Sequence, residues 1–251
     1  MAVAQDIIPP TIVELDYSEF VKLSTLGAGF FVYGLVTDDD SGVDDVRVNI
    51  IGPAGFRPIN ESMIHYGGGV YWYDLTISLS GTYTFYIWAI DTAGNTVLSE
   101  TYDIYVLTGN FDYLHINDDN TEGPWDGTEE HPFQHINDGI AVVNQSGIIF
   151  VHEGFYQENV RIENQQFSLI GEDKETTVID GSGSGSGIAI VRTTNVVIEG
   201  FTIRNCRSGI TLGYGTSSCT ISNCIISNND AGIRTTAMFA EENMVYHNNF
   251  F

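Results

Sequence analysis

The chain repeats itself near its end, and this repeat limits the possible folds more than any other feature. Asn195-Val-Val-Ile-Glu-Gly-Phe-Thr-Ile-Arg-Asn-Cys206 lies over Ser218-Cys-Thr-Ile-Ser-Asn-Cys-Ile-Ile-Ser-Asn-Asn229. Ile198 falls on Ile221, Ile203 on Ile226 and Gly209-Ile210 on Gly232-Ile233, a step of 23 residues each time (221 − 198 = 23). A shortened third copy, Met244 to Phe250, follows with a slip of one, placing Val245 against Ile221. A fixed period of this size signals a solenoid, whose units bury their apolar faces only against their neighbours. The apolar residues come in short β-branched runs separated by Asn, Gly and Ser, without helical spacing. Strands joined by tight turns satisfy that pattern and helices do not. One turn per repeat with Asn- and Gly-rich corners describes a right-handed parallel β-helix. Asn suits such corners because it tolerates left-handed backbone angles, and stacked Asn side chains form amide ladders.

Three segments also carry a family resemblance: Asn159-Val-Arg-Ile162, Ser168-Leu-Ile-Gly-Glu-Asp-Lys-Glu-Thr-Thr-Val-Ile-Asp-Gly181 and Val197-Ile-Glu-Gly-Phe-Thr-Ile-Arg-Asn205. They resemble right-handed β-helix proteins of the pectin-lyase-like superfamily, nearest to the NosD-like repeat proteins of archaeal and bacterial surfaces. The resemblance runs from about Tyr113 to Phe251, and its motifs specify fold rather than activity. It implies a helix capping the first coil.

At 251 residues the chain is long enough for two domains with their own cores. With 9 basic against 33 acidic residues and a formal charge of −24, a nucleic acid or an anionic membrane surface is excluded as partner. Acidity of this size fits a salty or calcium-containing exterior, and equally fits solubility by self-repulsion. No segment approaches 18 uninterrupted apolar residues, so no membrane insertion is expected. Met1-Ala-Val-Ala4 is not followed by the apolar core of a signal peptide, so an exported parent has lost its signal or carries it upstream. Cys206, Cys219 and Cys224 form no Cys-x-x-Cys. The repeat register sets Cys224 under Phe201, a buried position, and brings Cys206 and Cys219 close to turns.

In order along the chain, residues 1–10 read as an inter-module linker ending in the double proline Pro9-Pro10. Residues 11–107 read as all-β, with strands near 11–17, 30–37, 43–50, 59–65, 70–77, 82–90 and 96–106. Tyr83, Phe85, Ile87 and Ala89 fall on one face of the clearest strand. Seven short strands with turn signals between them predict an immunoglobulin-like β-sandwich. Val36-Thr-Asp-Asp-Asp-Ser-Gly-Val43 and Trp88-Ala-Ile-Asp-Thr-Ala-Gly-Asn95 resemble the bacterial Ig-like modules of tandem surface proteins, which implies a spacer or binder without chemistry. Residues 108–112 form a second linker, and 113–251 the β-helix. Pro132 to Asn144 reads as one short capping helix, with Phe133, Ile136, Ile140 and Val143 on a shared face. The whole is all-β: a sandwich followed by a β-helix that stops in mid-repeat. Either the chain is a piece of a longer protein or a partner covers the open end.

Asp118-x-Asn120-x-Glu122-Gly123, with Glu129 in the twelfth position, has the spacing of a calcium loop. Glu in the fifth position is unusual there and the flanking helix pair is absent, so a solvated acidic turn is the stronger alternative. Asp38, Asp39, Asp40, Asp44 and Asp45 make a second acidic cluster on a sandwich loop, a second calcium candidate with the same alternative of a solvated acidic turn. His131 and His135 lie four apart, the spacing of two metal ligands on a helix face, but lack a third. A uronate lyase would need calcium-holding carboxylates on neighbouring coils and an Arg or Lys base. Arg161, Lys174, Arg192, Arg204, Arg207 and Arg234 are the available bases. Only Arg207 over Asp230 is in register, and it reads as a salt bridge between coils.

The sequence therefore predicts a non-enzymatic extracellular or cell-surface protein with a structural or adhesive role. Its expected partners are a glycan or cell-envelope component, or a second copy meeting the open β-helix end. No catalytic residue is assigned, and calcium is the one cofactor expected. The alternative is a fragment of a polysaccharide lyase or other carbohydrate-active enzyme.

Overall fold

The computed structural model describes residues 6–236 and 241–251. The chain divides into two compact units, Met1–Thr108 and Gly109–Phe251.

The first unit is built from ten strands: β1 (Thr11–Tyr17), β2 (Phe20–Lys22), β3 (Ala28–Thr37), β4 (Val43–Ile51), β5 (Ile59–Ser62), β6 (Ile64–Gly67), β7 (Val70–Ile77), β8 (Gly81–Asp91), β9 (Thr96–Leu98) and β10 (Tyr102–Leu107). One sheet has the order β1-β3-β7-β6 and the other β2-β10-β8-β4-β5, with β9 added on β8. Alternation along the strands makes the core. Tyr83, Phe85, Ile87 and Ala89 of β8 are fully buried, in one cluster with Phe30 and Val32 of β3 and Val46, Val48 and Ile50 of β4.

Two expected strands are each split. The run 59–65 changes sheets at buried Met63: β5 pairs with β4 and β6 with β7, and the Met63 amide stays bonded to Val46 O at 2.7 Å. The run 96–106 breaks at Ser99, whose Oγ accepts the Ile87 amide (2.9 Å) in place of a ladder carbonyl. The strand β2 gave no signal in the sequence because three residues are too few to show alternation.

The second unit winds into three parallel sheets of six, five and four strands. The first stacks Tyr113–Ile116, Gly147–Val151, Phe167–Gly171, Val197–Glu199, Thr220–Ser222 and Met244–Tyr246. The second stacks Gly154–Tyr156, Thr177–Asp180, Thr202–Arg204, Ile225–Ser227 and Asn249–Phe250. The third stacks Val160–Glu163, Ser186–Val191, Ser208–Leu212 and Ala231–Thr235. In-register pairing turns the sequence into columns. Leu114, Ile149, Leu169, Ile198 and Ile221 lie on one another in the first sheet, and Tyr156, Ile179, Ile203 and Ile226 in the second. All nine are buried.

Asn195, Asn205, Asn223 and Asn228 take φ between 51° and 57° at the corners, where their side chains tolerate the left-handed region. Inside the coil, amides bridge the turns of the solenoid. Asn229 accepts the Cys206 amide (2.9 Å) and donates to Ile203 O (3.0 Å). Asn243 does the same with Cys219 and Thr216, and Asn248 with Cys224 and Ile221. The three thiols are buried and free, with no disulfide between Cys206 and Cys219. Burial pushes all three thiols up, Cys224 to about 11.

Helix α1 (Ile136–Val142) is shorter than the expected span 132–144. Phe133 is taken instead by a parallel bridge to Ile116, with its amide on His115 O and its carbonyl on the Asn117 amide. The apolar face still forms: Phe133, Ile136, Ile140 and Val143 are all buried. Glu158, from the turn between the second and third sheets, accepts the first helical amides of Ile136 (2.8 Å) and Asn137 (3.1 Å). Among the described residues no helix is long and apolar enough to cross a membrane.

Candidate functional site

Strand alternation that buries Leu114, Ile116, Ile149 and Val151 necessarily turns Tyr113, His115, Phe150 and His152 outward. Parallel stacking then brings these side chains of two consecutive coils together. The Tyr113 and Phe150 rings are stacked at 6.5 Å between centroids and 20° between planes. The imidazoles of His115 and His152 stack beside them at 5.3 Å, and Phe150 stands edge-on to both. His115 Nδ1 lies 3.1 Å from His152 Nε2, and His152 Nδ1 lies 3.2 Å from a carboxylate oxygen of Glu172, one coil further on.

A carboxylate can only accept, so neutral His152 carries its proton on Nδ1 and its Nε2 must accept from His115. Burial pushes the His115 imidazole below its usual range, and a charge on His152 would push it further. Glu172 also accepts the Glu153 amide at 3.1 Å, which fixes the end of this row. Tyr113 remains 49% exposed, so the ring pair keeps apolar surface open to solvent beside the polar imidazoles.

On the second sheet, exposed Phe155 lies under the Arg204 guanidinium, 5.4 Å from ring centre to Cζ. Asp180, buried, orients that Arg through a 3.1 Å ion pair and accepts Asn205 Nδ2 (2.6 Å) and the Ser182 amide (3.0 Å). Burial alone would raise the Asp180 carboxyl. The Ser182 amide, Asn205 and Arg204 outweigh it and hold the group below the usual carboxylate range. A carboxyl so held carries no proton near neutrality and cannot serve there as a general acid.

The residues singled out in the sequence are dispersed. Asp118 accepts the Phe155 amide at 2.9 Å, and Asn120 donates its amide to Pro124 O and Pro132 O. Glu122 and Glu129 are exposed, and among the described residues Asp118, Glu122 and Glu129 do not converge to ligand range. His131 meets Asp126 at 3.4 Å, whereas His135 is the N-cap of α1. Arg207 and Asp230 stand in adjacent coils, the Asp230 amide on Cys206 O and the Ala231 amide on Arg207 O. Among the described residues their side chains form no ion pair. Arg161 and Arg192 both meet Glu163. In the first unit, Asp45 pairs with Arg47, and Asp38 turns inward.

Residues 131–251 match the family model described as the right handed beta helix region. This part of the chain is a right-handed parallel β-helix. Solved structures with a likeness to the chain include a pectin methylesterase in complex with a hexasaccharide, at 14% identity and a TM-score of 0.40. That match covers 55% of this chain and 54% of the methylesterase, so the chain spans about half of that protein's length. A second is the catalytic unit of a thermostable α-1,3-glucanase from Streptomyces thermodiastaticus, at 12% identity and a TM-score of 0.37, covering 98% of this chain and 59% of that one. A third is a family 28 exopolygalacturonase from Yersinia enterocolitica, at 10% identity and a TM-score of 0.30, covering 97% and 69%. No curated protein sequence matches the chain.

The β-helix places the aromatic face on its first sheet, at its first coils. Reading the sequence did not find it, because Tyr113 pairs with Ile148, 35 residues on, which hides the two coils from a 23-residue period. The available signal was the alternation itself: Tyr-Leu-His-Ile and Ile-Ile-Phe-Val-His each set their bulky polar or aromatic residues on the non-core side.

Proposed function

We propose that the chain is a non-enzymatic module of a secreted or cell-surface protein. In this reading it binds a glycan or envelope polymer through the outward aromatic face of its first coils, and the first unit serves as an immunoglobulin-like spacer. The stacked Tyr113–Phe150 pair, with His115 and His152 packed beside it, carries the reading. Ring faces take the C–H faces of sugars, while imidazole and carboxylate rims take hydroxyls. Neighbouring strands repeat every 4.7–4.9 Å or so, so the face runs along the coil axis and suits an extended polymer. The charge of −24 favours a neutral glycan over a polyuronate.

Affinity electrophoresis against neutral glucans, chitin oligosaccharides, polygalacturonate and alginate tests the proposal. A neutral glycan should retard the chain. Tyr113→Ala and Phe150→Ala should each weaken binding by about 10-fold or more, as for buried aromatic anchors. Equal binding by both variants would reject the face. New absorbance from unsaturated ends on a uronate polymer, lost in Arg204→Ala, would favour the lyase alternative. The proposal includes weak self-association through the last coil, where Phe250 is 53% and Phe251 83% exposed. Sedimentation should show it more at high salt, which screens the negative charge, and a monomer at both salt levels would remove it.

A further inference from the structure

Two buried side-chain oxygens have no hydrogen-bond partner among the described residues: Asp6 Oδ2 and Ser41 Oγ. Both lie in the first unit. The same unit holds the one group of three His, Cys, Asp or Glu residues, among those described, whose ligand atoms all lie within 4.8 Å of one another: Asp6, Asp38 and Asp91. The unpaired oxygen of Asp6 belongs to this converging set, and Ser41 is tied to it through its amide on Asp38.

The loops explain how the group is held. Asp38 Oδ1 accepts the amides of Asp40 (3.3 Å), Ser41 (2.8 Å) and Gly42 (2.6 Å), so the β3–β4 loop folds around it. Asp91 is 1% exposed and takes the Asn95 amide (2.8 Å) and Asn95 Nδ2 (2.7 Å) at the turn after β8. Ser41 joins the two loops: its amide is on Asp38, and its carbonyl accepts Thr92 Oγ1 at 2.8 Å. Asp6 brings the segment before β1. Its Oδ1 takes the Ile8 amide (2.9 Å), and its own carbonyl accepts Asn95 Nδ2 at 3.3 Å.

Among the described residues no Lys, Arg or His forms an ion pair with any of the three carboxylates. Each carboxylate has about four acceptor positions, so the hydrogen bonds named leave several unused. Three like charges at this range repel one another, and a cation among them offsets that repulsion.

We propose that Asp6, Asp38 and Asp91, joined by Ser41 Oγ, bind one calcium ion that ties the segment before β1 to the β3–β4 and β8–β9 loops. All the donors are hard oxygens, with no nitrogen or sulfur among them. Calcium takes six to eight oxygens at about 2.3–2.6 Å, so two ligands of one ion stand at most about 5 Å apart, the span found here. Magnesium needs a tighter octahedron and keeps its waters, so it fits a three-carboxylate cluster less well. The site is separate from the acidic loop at 118–129.

The test uses the whole chain, stripped with a chelator and titrated with calcium chloride by calorimetry, with melting followed in parallel. One calcium per chain and a raised melting temperature are expected, with a smaller effect from magnesium. Asp6→Asn lies outside both sheets and leaves the core untouched, and Asp38→Asn keeps the loop's shape. Each should weaken calcium binding by about 10-fold or more, on the scale of losing one charged ligand. Asp118→Ala should leave the titration unchanged. No heat and no melting shift at millimolar calcium would overturn the site. So would calcium binding that survives in both Asp6→Asn and Asp38→Asn, or that disappears in Asp118→Ala alone.

Discussion

From Tyr113 to Asp180 the coils of the β-helix change length from one to the next, whereas from Asn195 onward they keep nearly to one length. Along the first sheet Tyr113 pairs with Ile148, Ile148 with Ser168 and Ser168 with Val197, steps of 35, 20 and 29 residues. Val197 to Thr220 and Thr220 to Met244 are steps of 23 and 24. The interior is the same in both regions, an unbroken apolar column. The exterior differs. The irregular coils present Tyr113, His115 and Phe150, while the regular ones carry Val197, Glu199 and Thr220 in the same columns, with Ser222 buried. The stack fixes what points inward and leaves length and outward side chains free, so departures from the repeat are where a specific surface can be placed.

The largest effect should come from the shared interior. Phe167 in the irregular part and Phe201 in the regular part are both buried, at 2% and 0% exposure. Phe167→Ala and Phe201→Ala should each cost about 3–5 kcal/mol in chemical denaturation, since each leaves a cavity its neighbours cannot fill. A loss below about 1 kcal/mol for one of them alone would show that the two regions do not share one core.

Next come the amide bridges, which belong to the regular coils. Asn229→Ala strands the Cys206 amide and the Ile203 carbonyl, and should cost about 1–3 kcal/mol. Asn159, in the irregular part, is exposed and bonds Ser184 O and Ser186 O. There water replaces the lost partners, and Asn159→Ala should cost less than about 1 kcal/mol. Equal losses, measured by the same unfolding curves, would break the distinction.

These positions also show how much the sequence disclosed. The β-branched columns and the 23-residue register were legible because identical local patterns recur, down to the one-residue slip that sets Val245 on Ile221. The fate of Phe133 was not, because its bridge to Ile116 depends on a strand 17 residues upstream and competes with helical propensity. The Asp6–Asp38–Asp91 group was half visible. Asp38 was noticed with its neighbours Asp39 and Asp40, but these are exposed, and its partners come from 32 and 53 residues away. Calcium-loop spacing in 118–129 is legible because its residues are close in sequence; in the fold Asp118 Oδ2 accepts the Phe155 amide, and Asn120 Nδ2 donates to Pro124 O and Pro132 O.

A smaller effect sharpens the comparison at a single register position. Asp180, Arg204 and Ser227 stack in the second sheet, and only the first two are charged. Asp180→Asn should lower stability by roughly 1 kcal/mol at neutral pH, discounted because the Arg204 side chain is 38% exposed. The folded carboxyl lies below the unfolded one, so this contribution is present above about pH 4 and is lost as pH falls through the folded value. Wild type and Asp180→Asn should therefore converge in strongly acid solution, and a gap that widens there would refute the assignment.

The smallest effect concerns the histidine row that only the first coils possess. Burial, and then the nearby His152, hold the His115 imidazole below its usual range, so the folded state resists protonation where the unfolded chain accepts it. Between the two values the unfolded state binds more protons, and stability rises with pH. The contribution is present above about pH 6.5 and is lost as pH falls through the folded value. In this tautomer His115 donates through Nδ1, so a second proton on its ring leaves the 3.1 Å contact to His152 in place but sets a charge in the half-buried row, and the Tyr113–Phe150 face should loosen over the same interval. Glycan retention and melting temperature should both fall from pH 7 to 5.5, and His115→Phe should flatten that fall while keeping the ring stack. Late-coil variants such as Asn229→Ala should keep the wild-type slope, because no histidine row lies near them. A slope unchanged by His115→Phe would place the pH dependence elsewhere and remove the row from the binding face.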